Sequence, residues 1–259
     1  MDLGITGRTA LVCASTQGLG LACAAALARE GCAVYLNGRT QERADAAAAR
    51  LARETGAMVL GIGANICTAE GRAHLMAVCP APDILINNNA GPPPGLLQDW
   101  DHEAWLAALE ANMLAPALLI RAVVPGMRDR RFGRIVNITS AMVKSPRPVM
   151  ALSTGARAGL TAFSKALSLE VAVDNVTINN LLPERIDTDR QRFMAERVVR
   201  ERGITYDEAR AEIAASIAAG RFGTTAEFGD ACAYLCSAQA GFVSGQNLQL
   251  DGGSYPGLI

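Results

Sequence analysis

Short apolar runs alternate with longer amphipathic stretches along most of the chain. The apolar runs predict buried strands, and the stretches with helical spacing of apolar positions predict helices. Strands are predicted over residues 10–13, 33–36, 58–62, 84–86, 134–138, 177–182 and 247–250. Helices are predicted over residues 21–30, 41–55, 68–79, 102–128 and 151–173. This alternation favours the α/β class, with a parallel sheet covered by helices on both faces.

The first strand leads into a polar turn that contains glycine, Ala14-Ser15-Thr16-Gln17-Gly18-Leu19-Gly20, and then into an alanine-rich helix. A strand, a glycine-rich turn and a helix together point free backbone N–H groups at a phosphate, and the helix dipole adds to the attraction. A merely flexible connection is the alternative. The uncharged stretch 9–28 has polar residues in its middle, so we expect neither a signal peptide nor a membrane span.

Composition excludes several classes of partner. The 259 residues are half hydrophobic and carry a net charge of −1, so no basic footprint for nucleic acid or an anionic membrane exists. Cys232 and Cys236 share a helix face, but no histidine lies near them in sequence, and His74 and His102 lie on polar stretches. We therefore expect no metal site, and free buried thiols in the reducing cytoplasm.

Polar residues follow the predicted strands and can converge on one crevice, because ligands of parallel sheets bind beyond the carboxyl ends of the strands. These residues include Ser15, Arg39, Asn65, Asn89, Ser140 and Pro183. Residues 189–216 then break the alternation: the segment is charged, contains Thr205-x-x-Glu208 and predicts two short helices joined at Gly203. It is interpreted as a substrate lid over the crevice or as an ordinary pair of surface helices.

Several motifs, in one order, resemble the short-chain dehydrogenase/reductase family, in its branch similar to 3-oxoacyl-carrier-protein reductase. They are Gly18-Leu19-Gly20, Asn88-Asn89-Ala90-Gly91, Asn112, Ser140, Ile186-x-Thr188, Gly220-Arg221-Phe222-Gly223, Ser244-Gly245-Gln246 and Asp251-Gly252-Gly253. The resemblance spans the whole chain and implies one doubly wound Rossmann domain, residues 1–259, with a seven-stranded parallel sheet. It also implies a homotetramer that packs through the helices carrying Asn112 and Ser153. The small residues Ala156, Gly159, Ala162 and Ala166 suit close helix approach, in the tetramer or within the monomer.

The same resemblance implies a dinucleotide site. The residues it assigns to the cofactor are Ser15, Gln17, Gly18, Leu19, Gly20, Arg39, Thr40, Asn65, Ile66, Asn89, Ala90, Gly91, Arg157, Pro183, Glu184, Ile186 and Thr188. Ala14 replaces the first glycine of the turn, and we expect a small backbone adjustment there. Gly38 and Arg39 occupy the end of the second strand, where relatives that use NAD carry an acid. A guanidinium suits a 2′-phosphate, so NADP(H) is favoured over NAD(H).

The catalytic motif departs from the family. Thirteen residues beyond Ser140, where the family has Tyr-x-x-x-Lys, this chain has Ser153 and then Arg157. A serine hydroxyl is far less acidic than a tyrosine, and an arginine does not release its proton in proteins. The predicted catalytic residues are Ser140, Asn112, Ser153 and Arg157, without the usual proton relay. Water, Lys144 or Tyr206 could supply the proton.

Glu184 is a second departure, since the family has glycine there. Two substitutions of opposite charge near one pocket suggest an ion pair between Arg157 and Glu184, and the alternative is that Glu184 points into solvent.

Three functions remain open. The first is an NADP(H)-dependent carbonyl reductase or alcohol dehydrogenase, acting on a small molecule with an atypical proton donor. The second is a dinucleotide-binding homologue that has lost redox catalysis and serves in regulation. The third is a lyase or isomerase that uses Glu184 as its acid or base.

Overall fold

Seven parallel strands form a single sheet in a computed structural model that describes residues 2–258. The strands are β1 (Thr9–Val12), β2 (Ala33–Gly38), β3 (Val59–Gly63), β4 (Ile84–Asn87), β5 (Gly133–Ile138), β6 (Val176–Pro183) and β7 (Asn247–Leu250). Their order is β3-β2-β1-β4-β5-β6-β7, and every adjacent pair is parallel. The order reverses between β1 and β4, so the crevice for a ligand lies at the carboxyl ends of these two strands. The predicted seven-stranded doubly wound fold is confirmed.

Helices cover both faces of the sheet. They are α1 (Gly18–Arg29), α2 (Gln41–Thr55), α3 (Ala69–Val78), α4 (His102–Leu109), α5 (Ala115–Asp129), α6 (Ala151–Val171), α7 (Asp189–Arg202), α8 (Tyr206–Ala215) and α9 (Thr225–Cys236). One apolar core joins α1, α2 and α9 to the sheet, and a second core joins α3, α5 and the end of α6 to its other face. Every residue of β5 is buried, as expected for a central parallel strand that is covered on both sides.

The predicted helix 102–128 is confirmed as one helical run, His102–Asp129, with a π turn inside it. α4 ends at Leu109, a π-helical segment follows over Glu110–Leu114, and α5 begins at Ala115. The whole run has the length and hydropathy of a membrane span, but Ala115, Leu119 and Ile120 are completely buried in the core of the molecule. Single π turns occur often at functional sites, and this one carries Asn112.

The cysteines and the charged segment follow the sequence predictions. All seven cysteines are free, six of them are buried, and burial raises the pKa of Cys13 to about 12. No group of metal-ligating side chains occurs among residues 2–258. The charged segment forms α7 and α8, separated at Gly203, whose φ of +68° ends α7 in the left-handed conformation.

Candidate active site

The turn after β1 keeps its shape although alanine replaces glycine at its start. Ala14 adopts φ of +43°, in the left-handed region that glycine normally fills. Two asparagines hold it there: the Ala14 N–H donates to Asn37 Oδ1 at 3.1 Å, and Asn88 Nδ2 donates to the Ala14 carbonyl at 3.0 Å. Ala14 therefore keeps the left-handed backbone conformation that a glycine would adopt, and two side-chain amides hold it there.

Helix α1 approaches this turn so closely that only glycine fits at Gly20. A Cβ on Gly20 would lie 2.6 Å from the Ala14 carbonyl oxygen and 2.9 Å from Ser15 Cα. The helix has no side-chain cap at Gln17 and no acidic residue in its first turn, so its first N–H groups are left for an anion. Ser15 is completely buried, and its hydroxyl donates to the Val12 carbonyl at 2.6 Å. It shapes the turn through backbone contacts.

The ends of β2 and β3 carry the residues predicted for the adenosine half of the cofactor. Arg39 and Thr40 are exposed directly after β2, and Thr40 caps α2. Arg39 makes no hydrogen bond or ion pair with any other residue in 2–258, so its guanidinium is available to a phosphate. Asn65 is exposed after β3, whereas the Ile66 side chain is only 4% exposed and belongs to the core. Only the backbone of Ile66 can therefore contribute to binding.

Asn89 connects the crevice to the π-helical segment. Its side-chain nitrogen donates to the Ala111 carbonyl at 3.2 Å, and its Oδ1 accepts from the Ala90 N–H at 2.9 Å. Asn112 is 3% exposed and donates to the Ala90 carbonyl at 3.3 Å, while its Oδ1 is buried without a partner in the described chain. Asn112 lines an adjoining cavity of about 330 Å³, not the one that contains Ser140 and Ser153.

Ser140, Ser153 and Arg157 face one cavity of about 460 Å³. Ser140 caps a short 3₁₀ turn, and its Oγ accepts from the Met142 N–H at 3.2 Å. Ser153 lies in the first turn of α6, and its Oγ accepts from Arg157 Nε at 3.3 Å. Neither hydroxyl donates a hydrogen bond to another residue of 2–258, so each proton can be donated into the cavity.

Arg157 is held by backbone carbonyls, without a carboxylate. Its Nη1 donates to the Ile138 and Thr139 carbonyls at 2.9 and 3.2 Å, and its Nη2 lies 3.5 Å from the Asn89 carbonyl. Burial, together with the positive charge of Arg190, lowers the pKa of Arg157 to about 10. The guanidinium is thus a fixed cation at neutral pH.

The cavity contains ten of the residues that the sequence predicts for the site: Leu19, Ala90, Gly91, Ser140, Ser153, Arg157, Pro183, Glu184, Ile186 and Thr188. A Cβ on Gly91 would lie 3.2 Å from Arg157 Nη2 and 3.4 Å from Ser153 Oγ, so the backbone passes directly over both substituted side chains. The glycine-rich turn and the substituted motif therefore belong to one site.

The predicted ion pair between Arg157 and Glu184 is wrong. Glu184 Oε1 lies 2.7 Å from Arg147 Nη2, and no contact within 4 Å joins Glu184 to Arg157. Arg147 follows Pro146 in an irregular segment, whose position no sequence periodicity could predict. Neither Lys144 nor Tyr206 lines the cavity, so neither side chain is placed to supply a proton.

Sequence reasoning also missed several arginines of this site. Arg147, Arg185, Arg190 and Arg197 line the cavity beside Arg157, and Glu184 is the one acidic residue among its walls. The only available signal was composition, since 185–202 is rich in arginine. The cavity wall contains no tyrosine, lysine, histidine or cysteine.

Comparison with known proteins gives the family. The family model described as enoyl-(acyl carrier protein) reductase matches residues 13–255. Dehydrogenase/reductase SDR family member 4 of Bos taurus is 36% identical over 260 residues, covering 98% of this chain and 89% of that protein. The 3-oxoacyl-[acyl-carrier-protein] reductase FabG of Haemophilus influenzae is 32% identical over 253 residues, covering 96% and 98%.

A solved structure, L-sorbose reductase from Gluconobacter frateurii with NADPH and L-sorbose, superimposes with a TM-score of 0.94 at 29% identity, covering 100% of both chains. The protein belongs to the short-chain dehydrogenase/reductase family, an oxidoreductase family that acts on carbonyl and alcohol groups, and is similar to 3-oxoacyl-carrier-protein reductase.

Proposed function

We propose that this protein is an NADP(H)-dependent carbonyl reductase or alcohol dehydrogenase whose proton relay is built from serine hydroxyls and a fixed arginine. The observation that carries the proposal is the shared cavity: Leu19 of the glycine-rich turn lines the same walls as Ser140 and Ser153. A bound cofactor and a substrate could therefore lie in contact with each other in this cavity.

The residues of the turn fit a dinucleotide. Only the absence of a Cβ at Gly20 lets α1 come this close to the turn, and the first N–H groups of α1 are uncapped. Arg39 would take a 2′-phosphate, and Thr188 lines the cavity at the start of α7 without capping that helix. A bound nicotinamide would supply the hydride chemistry. The structure of sorbose reductase contains NADPH, and YwfH, a reductase involved in bacilysin biosynthesis, is NADPH dependent; both support the same choice of cofactor.

The chain's own residues polarise and orient the substrate oxygen. Ser140 and Ser153 each have one free hydroxyl proton that can be donated to a carbonyl oxygen between them. Arg157, bonded to Ser153 Oγ, stabilises negative charge that develops on that oxygen. A serine is too weak an acid to replace tyrosine fully, so we expect solvent to supply the proton at a low rate.

Single-turnover oxidation of NADPH tests the proposed activity. The protein is mixed with NADPH and a panel of 3-oxoacyl thioesters and small ketones, and the loss of absorbance at the nicotinamide band is followed. We expect slow, stoichiometric oxidation with at least one carbonyl compound. Bound NADPH that survives the entire panel would contradict the proposal.

Arg39→Gln tests the cofactor preference. Hydrogen bonds between charged groups contribute about 1.5–3 kcal/mol, so the affinity for NADPH should fall about tenfold or more while that for NADH changes little. Arg53→Gln on α2, which is exposed and outside the predicted site, is the control. An equal loss for both dinucleotides would argue against a role in 2′-phosphate binding.

A dinucleotide-binding protein without redox activity is the second candidate. The cavity walls favour it in one respect, since they contain no side chain that titrates like the family's tyrosine. Tight NADPH binding with no turnover in the panel above is its signature. A lyase or isomerase that uses Glu184 has weaker support, because that carboxylate is already paired with Arg147.

The remaining predictions concern assembly, the lid and location. Leu114, Leu118 and Phe163 are partly exposed along a groove of about 670 Å³ between α5 and α6, which supports a homotetramer that packs through these helices. Within the monomer, Ala156 is already buried and Gly159 lies against Met113.

We also propose that 189–216 acts as the lid, and that the protein works in the cytoplasm, where free thiols persist.

A further inference from the structure

The cavity that contains Ser140 and Ser153 has an unusual charge for a protein with a net charge of −1. Its walls carry five arginines and one glutamate: Arg147, Arg157, Arg185, Arg190, Arg197 and Glu184. The glutamate is already neutralised by Arg147 at 2.7 Å. Because Glu184 is the only carboxylate among the residues of 2–258 that line the walls, the cavity keeps a large net positive charge.

Arg185 and Arg190 are the two arginines of the cavity walls that make no side-chain hydrogen bond or ion pair with any residue of 2–258. Arg190 is exposed and lies 6.0 Å from the centre of the Phe193 ring, whereas Arg185 is half-buried. Arg157 by contrast donates to three backbone carbonyls, and Arg197 pairs with Glu201 at 2.5 Å. Burial lowers the pKa of Arg185, and the neighbouring charge of Arg147 lowers it further. An anion beside Arg185 would offset the repulsion from Arg147 and stabilise the charged guanidinium.

The backbone fixes Arg185 in this position at a cost. Arg185 has φ of +57°, a left-handed conformation that is unfavourable for a non-glycine residue. It is held by hydrogen bonds on both sides: the Glu184 N–H donates to the Leu250 carbonyl at 2.9 Å, and the Gly223 N–H donates to the Arg185 carbonyl at 3.1 Å. Strain of this kind persists where the surroundings over-determine it, and it is common at ligand sites.

We propose that the substrate of this enzyme carries a carboxylate or a phosphate group, and that Arg185 is the specificity-determining residue that binds it beside the carbonyl held by Ser140 and Ser153. A guanidinium matches either group through two parallel N–H donors. The inference rests on the proposed function, since it assigns a substrate class to the same cavity. It predicts oxo acids or phosphorylated ketones as substrates, in preference to neutral ketones of equal size.

Equilibrium binding tests this inference without turnover. Glycerol 3-phosphate and 3-hydroxybutyrate are titrated by calorimetry into the protein saturated with NADP⁺, and glycerol and 1,3-butanediol serve as uncharged probes of similar size. We expect the anionic probes to bind at least about tenfold more tightly than their neutral counterparts. Equal affinities would overturn the proposal.

Three variants locate the anion. Arg185→Gln should weaken binding of the anionic probes by about tenfold or more and leave the neutral probes unchanged. Glu184→Gln should tighten anion binding, because it removes the one negative charge of the walls and releases Arg147. Arg53→Gln, on the exposed surface of α2, is the matched control and should change nothing. Opposite effects at adjacent positions cannot arise from general misfolding.

The phosphates of the cofactor are the other source of negative charge, and the same variants separate the two. If Arg185→Gln weakens NADPH binding as much as it weakens glycerol 3-phosphate binding, the arginine serves the cofactor and the proposal is wrong. Turnover of neutral ketones alone would also overturn it, while leaving the proposed reductase intact. Anion binding that depends on Arg185, in a protein that never oxidises NADPH, would support this inference and contradict the proposed function.

Discussion

The glycine-rich turn and the pair Ser153 and Arg157 differ in what holds them in place. At Ala14, Asn37 and Asn88 hold the backbone in the left-handed conformation. Ser153 and Arg157 contribute side-chain groups to the cavity, and in the proposed reductase they stand where the resemblance implies tyrosine and lysine. A site that binds through backbone N–H groups tolerates a new side chain, whereas a site that works through one side chain's acidity does not.

The prediction with the largest expected effect introduces the tyrosine and lysine of the family motif at positions 153 and 157. Ser153→Tyr together with Arg157→Lys should raise kcat/KM for NADPH-dependent ketone reduction by about 10²–10⁴-fold, the usual contribution of a general acid. Steady-state rates of the double variant and of each single variant are compared.

Arg157→Lys alone should gain little, because it restores no acid beside the substrate. Ser153→Tyr alone should gain only part of the effect, because Arg157 supplies a cation but not the lysine ammonium of the family's pair. If the double variant folds and binds NADPH but stays as slow as the parent chain, the cavity is not shaped for hydride transfer.

A second test disrupts the glycine-rich turn, where backbone N–H groups would bind the cofactor. Gly20→Ala would place a Cβ 2.6 Å from the Ala14 carbonyl oxygen, which is backbone and cannot give way easily. We expect the variant to lose about 1–3 kcal/mol of unfolding free energy and more than tenfold in NADPH affinity. Denaturant titration and fluorescence titration with NADPH measure the two effects.

Gly126→Ala is the control for that test. Its new Cβ would lie 3.1 Å from Nη1 of Arg130, the residue after α5, whose guanidinium also bonds Asp83 and the Pro82 carbonyl. Because this contact is far from the turn, cofactor affinity should be unchanged, and the change in stability should be smaller than at Gly20. Similar losses at both glycines would show that close approach at Gly20 has no special role.

A third test measures the strain that remains at Ala14. Ala14→Gly should raise the free energy of unfolding by about 0.5–1 kcal/mol, because glycine adopts a φ of +43° without a steric penalty. Ala25→Gly within α1 should do the opposite, since glycine inside a helix costs about 1 kcal/mol. Urea denaturation of the two variants gives the comparison, and a loss of stability at Ala14 would show that its φ carries no strain.

The sequence predicts local structure well where chemistry marks the ends of an element. Helix 41–55 was predicted to the residue, because Thr40 caps its start and Gly56, with φ of +72°, ends it. Helix α9 was not delimited, although Thr224 and Glu227 form a capping box at its start.

The site was predicted less completely than the fold. Motif spacing brought Ser140, Ser153 and Arg157 together, since Ser140 follows β5 and the other two lie in the first turns of α6. The partner of Glu184 was missed because Arg147 lies in an irregular segment. The π turn at Asn112 was missed because a single inserted residue barely disturbs helical periodicity. The strained Arg185 carries no sequence signal at all.

The smallest expected effect is the shape of a pH profile. Burial lowers the pKa of Arg157 to about 10, so its charge is constant from pH 6 to about pH 9 and is lost only as the pH rises through 10. Any alcohol oxidation by the parent chain should therefore be nearly independent of pH below 9 and should fall above 10.

In the Ser153→Tyr, Arg157→Lys variant the new tyrosine must be deprotonated to accept a proton, and an adjacent ammonium lowers its pKa towards neutrality. Its oxidation rate should rise tenfold per pH unit and level off at that pKa. The profiles of kcat/KM for NADP⁺ reduction decide the matter: a titration near neutrality in the parent chain would mean that another side chain already does the work of the missing tyrosine.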